Sequence, residues 1–222
     1  MEKLSESRKL WLQNAVSTFH AALPESLAEE FLAGRGLHDG GDITEQVNKY
    51  RLGFVPDHSP GFEQYAGRLA IPYLRRHPRH GWFCIGMRFR RLTDGVAYPP
   101  KYEGLPGERT RLYNTQALNV PAEVVGVCEG ELDAVTASLC GIPTVGVPGV
   151  QNWKPHYRPS FEGYKHVLVF TDGDAPGREF AAKITGLIPN AIAVDCGDGQ
   201  DVNSLFQSGG VEAVRERLPK ID

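Results

Sequence analysis

The chain has 222 residues, of which 41% are hydrophobic and 23% are charged, and its formal net charge is −3. These values are typical of a globular protein with one large domain or two small ones. Its longest apolar runs are too short to cross a bilayer, and its polar first residues lack the apolar core of a signal peptide. We therefore expect a cytoplasmic protein that does not bind to membranes.

The four cysteines are widely spaced and include no C-x-x-C pair. This spacing predicts buried free thiols in a reducing compartment and argues against a zinc ribbon within the chain. The cysteines are Cys84, Cys128, Cys140 and Cys196.

The modest net charge conceals two regions of opposite sign. Residues 68–111 contain ten Lys and Arg against three Asp and Glu, a balance of +7, and the remaining 14 basic and 24 acidic residues give −10. A basic segment joined to an acidic remainder is typical of a nucleic-acid enzyme with a carboxylate metal site. The same arginines could equally serve to keep the edges of a sheet soluble.

The first forty residues are predicted to be helical. Apolar side chains recur at helical spacing from Leu10 to Ala22, and Pro24 ends that pattern. A second helix is expected to open at 24–26, to run through Leu27, Phe31 and Leu32, and to end within 34–36. A third is expected from Ile43 to just before Leu52. From residue 68 onward, short segments rich in aromatic and branched residues predict the strands of an antiparallel sheet, at 69–73, 82–89 and 97–98.

After residue 120 the pattern alternates between strands and helices. Such alternation predicts a parallel sheet covered on both faces, whose ligands bind at the carboxyl ends of the strands. The predicted strands are 124–128, 144–147, 166–170 and 191–194, and the predicted helices are 132–139, 177–187 and 211–218.

Acidic clusters follow three of these strands. They read E-G-E-L-D from Glu129, D-G-D from Asp172, and D-G-Q-D-V-N from Asp198. In D-x-D both carboxylates point the same way, and the intervening glycine permits close backbone approach. Each cluster alone could be a surface turn or a helix cap. Three at successive strand ends favour a site for a divalent ion such as Mg²⁺.

The acidic motifs resemble those of the Toprim fold over residues 122–205. Glu129 matches the single glutamate of that family's E-G-x-x-D motif, and Asp172 and Asp174 match its D-x-D-x-x-G motif. The third cluster is similar to a downstream acidic motif of primases, with Asp201 as the match. Asn203 stands where many relatives have a second aspartate. The resemblance implies that Glu129, Asp172 and Asp174 act in catalysis and that they hold the metal together with Asp201.

The upstream half resembles bacterial-type, DnaG-class primases. These carry a basic, mostly β subdomain before the Toprim fold, with a series of short motifs in fixed order. The corresponding segments here are 31–37 (F-L-A-G-R-G-L), 52–56 (L-G-F-V-P), 67–72 (G-R-L-A-I-P), 86–88 (G-M-R), 100–102 (P-K-Y) and 112–113 (L-Y). Met87 replaces the second glycine of the G-G-R motif.

The resemblance implies an α/β fold with a mixed α+β N-terminal part. Residues 1–120 would form the basic helical and β subdomain, and residues 121–222 a Toprim-like parallel sheet flanked by helices. The implied activity is DNA primase: synthesis of short RNA primers from ribonucleoside triphosphates on single-stranded DNA, with Mg²⁺ or Mn²⁺. Arg68, Arg88 and Lys101 would bind phosphate groups, although each could instead be a solvated surface residue.

Two other functions and two partners complete the expectations. The alternatives are a non-catalytic Toprim adaptor that binds DNA in recombination and a Toprim nuclease. The small size and the lack of fused modules resemble a phage or plasmid protein that acts in the bacterial host cytoplasm. Primases of this kind work with a replicative helicase and a zinc ribbon, so we expect both to be supplied in trans.

Overall fold

Two four-stranded sheets, one antiparallel and one parallel, organise the residues that the computed structural model describes, which are 4–77, 81–93 and 100–221. Each sheet lies in its own unit, Met1–Arg109 or Thr110–Asp222. The sequence placed the domain boundary at residue 120, whereas residues 110–120 pack with the second unit. Tyr113 forms a bridge with Gly146 there, and the Tyr164 hydroxyl donates to the Leu118 carbonyl at 3.1 Å.

The first unit begins with three helices, as predicted. They are α1 (Glu6–Ala21), α2 (Leu27–Ala33) and α3 (Asp42–Asn48). The helix α1 begins earlier than the apolar pattern because Ser5 caps it, accepting a hydrogen bond from the Arg8 amide at 3.2 Å. Ser26 caps α2 in the same way, through the Glu29 amide.

The antiparallel sheet follows in the order β1-β2-β3-β4. Its strands are β1 (Gly53–Phe54), β2 (Leu69–His77), β3 (Gly81–Arg90) and β4 (Tyr102–Gly104). The predicted strands at 69–73 and 82–89 are confirmed as β2 and β3, which pair with a bulge between Tyr73 and Leu74. The predicted strand at 97–98 lies outside the described residues.

One face of this sheet packs against α1. Leu12, Val16 and Phe19 of α1 share a buried cluster with Met87 and Phe89 of β3. Met87, which departs from the G-G-R motif, therefore fills the core of the first unit, and Arg88 next to it keeps its place in β3.

The second unit contains the parallel sheet that the sequence predicts, in the order β6-β5-β7-β8. Its strands are β5 (Val124–Cys128), β6 (Thr144–Gly146), β7 (His166–Thr171) and β8 (Ala191–Asp195), and its helices are α4 (Glu131–Leu139), α5 (Ala175–Leu187) and α6 (Val202–Arg215). Phe180 and Ile184 of α5 pack on Val127, Val167 and Val169 of the sheet. Within the described ranges no helix is both long enough and apolar enough to span a membrane.

The last helix differs from its prediction. The sequence placed it at 211–218, but α6 begins at Val202 and ends at Arg215. Asp201 caps its start, and the backbone leaves helical geometry at Gly209 and Gly210, where Gly210 has φ 64°. The apolar pattern after Val211 therefore marks only the second half of a longer, interrupted helix.

Gly53 of β1 provides a test of the packing between α1 and the antiparallel sheet. A Cβ at Gly53 would lie 2.5 Å from the Phe19 carbonyl carbon and 2.7 Å from the His20 nitrogen. Because these are backbone atoms, Gly53→Ala should lower the free energy of unfolding by about 1–3 kcal/mol. Urea denaturation measures this change. Gly163→Ala, in open space, is the control, and equal stability of both variants would contradict this packing.

Candidate active site

The acidic segments lie at the carboxyl ends of the parallel strands. Glu129 follows β5 directly and Asp172 follows β7, and these two strands are hydrogen-bonded neighbours with Val127 opposite Val169. The third segment follows β8, which pairs with the other edge of β7. The structure therefore brings the four predicted metal ligands, Glu129, Asp172, Asp174 and Asp201, to one edge of the sheet.

Backbone hydrogen bonds join the second acidic segment to the third. The Gly173 amide donates to the Gln200 carbonyl at 2.7 Å, and the Gly199 amide donates to the Gly173 carbonyl at 2.9 Å. A Cβ at Gly173 would overlap the Gly197 carbonyl oxygen. The glycine of D-G-D is thus required for the close approach of the two loops, as the sequence suggested.

Asp174 is the N-cap of α5. Its Oδ1 accepts a hydrogen bond from the Gly177 amide at 2.7 Å. A Cβ at Gly177 would in turn overlap the carbonyl oxygen of Asp172. The D-x-D-x-x-G spacing therefore has a local structural reason: its last glycine lets the first turn of α5 fold back over Asp172.

Asp201 caps α6 through a reciprocal pair of hydrogen bonds. Its Oδ1 accepts from the Ser204 amide at 2.6 Å, and the Ser204 hydroxyl accepts from the Asp201 amide at 2.8 Å. Asn203 is fully buried, donates to the Thr136 hydroxyl at 3.1 Å, and accepts from the Gln207 side chain at 2.7 Å. Asn203 thus braces α6 against α4.

The carboxyl group of Glu129 is partly buried and lies near other carboxylates. Burial, with the negative charges of Asp174 and Asp133 adding to it, raises the pKa of Glu129 to about 7. Its Oε2 is buried and has no hydrogen-bond partner among the described residues. A buried carboxylate oxygen of this kind is costly unless a proton or a cation compensates its charge.

The acidic side chains of this edge also raise the pKa values of two buried thiols. Burial raises the pKa of Cys196 to about 12 and that of Cys128 well above its ordinary value, and Asp133, Asp172 and Asp201 raise both further. The three acidic segments therefore act on common neighbours at this edge.

Asp133 is a further acidic residue of this edge that was not predicted from the sequence. It lies in the first turn of α4, and its negative charge raises the pKa of Glu129 and of both thiols. Its Oδ2 would lie 2.6 Å from a Cβ at Gly130. The signal was present, because Asp133 is the aspartate of E-G-x-x-D.

The carboxylates lie at one edge of the sheet, but they do not surround a common point as the ligands of a metal ion would. Within the part of the chain that the structure describes, no three His, Cys, Asp or Glu side chains form a group that could hold a metal ion. Asp174 and Asp201 each direct an oxygen at a helix N-terminus instead. Of the two roles that the sequence presented as alternatives for these acids, cap and metal ligand, the structure shows the cap for Asp174 and Asp201.

The three predicted phosphate-binding residues lie in the first unit, in different environments. Arg68 is 5% exposed and pairs with Glu103 at 2.7 Å, so its guanidinium group belongs to the interior. Arg88 is half-buried, with its guanidinium carbon 5.1 Å from the centre of the Tyr102 ring. Lys101 is exposed, immediately before β4.

A ladder of aromatic rings and arginines connects the upstream motifs. Arg90 is fully buried, with its guanidinium carbon 4.1 Å from the Phe31 ring centre and 5.7 Å from that of Tyr102. The guanidinium carbon of Arg35 also lies over the Phe31 ring, 5.0 Å from its centre. The segments 31–37 and 100–102 thus meet across Arg90, which sequence reasoning did not single out.

Comparison with solved structures identifies the fold. The RNA polymerase domain of Mycobacterium tuberculosis primase DnaG superposes with a TM-score of 0.77 at 22% identity, covering 97% of this chain and 84% of that one. The E. coli primase catalytic core superposes with a TM-score of 0.70 at 21% sequence identity, covering 94% of this chain and 78% of that one. The structure of the Aquifex aeolicus primase contains its zinc-binding and RNA polymerase domains. It superposes with a TM-score of 0.74 at 21% sequence identity, covering 97% of this chain and 61% of that one.

A phage protein is similar in sequence. The Gene 57 protein of Mycobacterium phage D29 is 51% identical over 154 residues, which are 69% of this chain and 99% of the phage protein. No protein-family model matches the chain. The chain therefore belongs to the family of the phage D29 Gene 57 protein, on the fold of the primase RNA polymerase domain.

Proposed function

We propose that the chain is the catalytic core of a DNA primase, which joins ribonucleotides into short RNA primers on a single-stranded DNA template. The observation that carries the proposal is the position of Glu129, Asp172, Asp174 and Asp201 at one edge of the parallel sheet. The shared fold with primase RNA polymerase domains supports it. The assignment of this sheet to the Toprim fold rests on the E-G-x-x-D and D-x-D motifs.

The acidic edge fits a divalent metal ion. The unpartnered buried oxygen of Glu129 and its raised pKa indicate negative charge that a cation would compensate. Mg²⁺ is commonly held by one or two carboxylates, with water and substrate phosphates as its other ligands, so a group of three side chains is not required. Glu129, Asp172, Asp174 and Asp201 would hold Mg²⁺ or Mn²⁺. When bound, such ions stabilise the attacking and leaving oxygens of nucleotidyl transfer.

The side chains of the site contribute position and proton transfer. The two caps and the backbone bonds of Gly173 fix the directions of Asp174 and Asp201 before substrate arrives. Without a bound metal ion the pKa of Glu129 is about 7, so at neutral pH this residue could either accept the proton of the attacking 3′-hydroxyl or, once deprotonated, hold the metal ion.

The basic first unit supplies contacts to phosphate. Lys101 is exposed and Arg88 is half-buried, and both would bind phosphates of the template or the incoming nucleotide. Arg68 would support them from inside, because its ion pair with Glu103 fixes β4, the strand that follows Lys101.

The proposed partners follow from the reaction and from the relatives. One related structure is the DnaG catalytic domain bound to single-stranded DNA, and the Aquifex structure includes a zinc-binding domain. The four cysteines here are buried and free, so a zinc ribbon that works with this core would lie outside these residues, and we propose that it acts in trans. A replicative helicase would likewise act in trans, and the phage relative agrees with action in a bacterial host cytoplasm.

The role of Glu129 can be tested by separating activity from binding. Glu129→Gln should lower nucleotide incorporation by about 10²–10⁴-fold, because it removes a proton acceptor and metal ligand. The affinity for single-stranded DNA should stay close to that of the wild type. Primer extension and fluorescence anisotropy measure the two properties, with the exposed Glu179→Gln as control. Equal loss of both properties in a folded variant would exclude this role.

The same residue predicts a pH dependence of stability without divalent ions. Because the folded-state pKa of Glu129 is raised from 4.5 to about 7, its contribution to stability is present below pH 4.5 and lost as pH rises through 7. Glu129→Gln should therefore melt at a higher temperature than the wild type at pH 8 in EDTA, and the gap should narrow at pH 5. Calorimetry measures both melting temperatures, and a pH-independent gap would refute the assignment.

Phosphate binding by Arg88 and Lys101 predicts a change in salt dependence. Replacing either residue by Ala should flatten the plot of log affinity against log salt for single-stranded DNA by about 0.7 per lost contact. Titrations at several salt concentrations measure this slope, with the exposed Lys183→Ala as the control for net charge. Unchanged slopes in both variants would assign the two residues to the solvated surface.

A further inference from the structure

An exposed tryptophan near the end of the β2–β3 ribbon has no part in the proposed catalytic machinery. Trp82 is 48% exposed. The other two tryptophans are packed: Trp11 stacks on Phe62 with ring centres 4.3 Å apart, and Trp153 is 5% exposed. Trp82 is therefore the tryptophan whose ring a large ligand could contact.

The strand register explains the exposure. Leu74 pairs with Cys84, and both belong to the core side of the sheet. Side chains alternate between faces, so the next pair on that side is Arg76 and Trp82. The ribbon thus continues past the last core pair and presents Trp82 and Arg76 together on one face.

Arg76 gives this face its charge. Its guanidinium carbon lies 5.7 Å from the centre of the Trp82 ring, within the range of a cation–π contact, and its side chain is exposed. The sequences of β2 and β3 contain four arginines and no carboxylate. An aromatic face bordered by positive charge complements a nucleic-acid strand, in which flat bases alternate with phosphates.

We propose that Trp82 and Arg76 form a platform for single-stranded DNA, on which one unpaired base stacks on the indole ring and a neighbouring phosphate pairs with the guanidinium group. This inference rests on the proposed function, since it adds a template contact to the primase core. An unpaired strand is the occupant because its bases have free faces, whereas those of a duplex are stacked on each other.

The test compares two oligonucleotides of equal length, one of thymidylate and one of abasic sites with the same phosphates. Trp82→Ala should bind the thymidylate strand about tenfold more weakly than the wild type. It should bind the abasic strand with unchanged affinity, because no base is available to stack. Trp82→Phe, which keeps an aromatic face, should retain most of the binding.

Two further variants complete the design. Leu10→Ala removes an exposed apolar side chain elsewhere in the same unit, on α1, and should change neither affinity. Arg76→Ala should weaken binding to both strands, because it removes a phosphate contact. Unchanged thymidylate binding by Trp82→Ala would overturn the platform, as would equal loss on both strands or a change of oligomeric state in place of a loss of binding.

The wild-type protein separates failure of the platform from failure of the proposed function. If it neither binds single-stranded DNA nor incorporates nucleotides with Mg²⁺ or Mn²⁺, both proposals fall. If it does both, and Trp82→Ala binds thymidylate as tightly as the wild type, only the platform falls.

Discussion

Burial of the Glu129 carboxyl group beside other negative charges, at the edge of the parallel sheet, is the constraint on which the candidate site depends. Glu129 and Asp133 are half-buried and Asp174 is exposed, and both aspartates add to the cost that burial places on the negative charge of Glu129. The chain holds them in place by local means, namely the cap formed by Asp174 and the backbone bonds between Gly173 and the loop after β8. The raised pKa of Glu129 shows that its negative charge is still unfavourable in this arrangement.

Much of the architecture could be predicted because it depends on local patterns. The apolar runs of β5 and β7 and the acids after them establish a parallel sheet with charge at its carboxyl edge. The strands β1 and β4, with two and three residues, carry too little pattern to be recognised. The start of α6 was missed because it depends on a cap at Asp201 and continues through a glycine pair that reads as a turn.

The individual side chains were harder to predict than the elements. Arg68 lies in a motif and in a basic segment, and nothing local distinguishes it from Arg88. Only the tertiary fold places Glu103 within 2.7 Å of Arg68 and makes it an interior ion pair. Arg90 likewise looks like a solvated charge until Phe31 and Tyr102 are brought to it. Burial and partners at long range in the sequence decide such roles, and composition does not.

Extension of a supplied primer on single-stranded DNA tests the central claim most directly. The wild-type chain and Asp174→Asn would be compared with Mg²⁺, with Mn²⁺ and with EDTA. Asparagine is as good a helix N-cap as aspartate, so the variant keeps the fold while losing a charged metal ligand. The account predicts ribonucleotide incorporation by the wild type only with a divalent ion, and its loss in a variant that melts normally. Equal incorporation by both proteins, or none by a folded wild type, would contradict it.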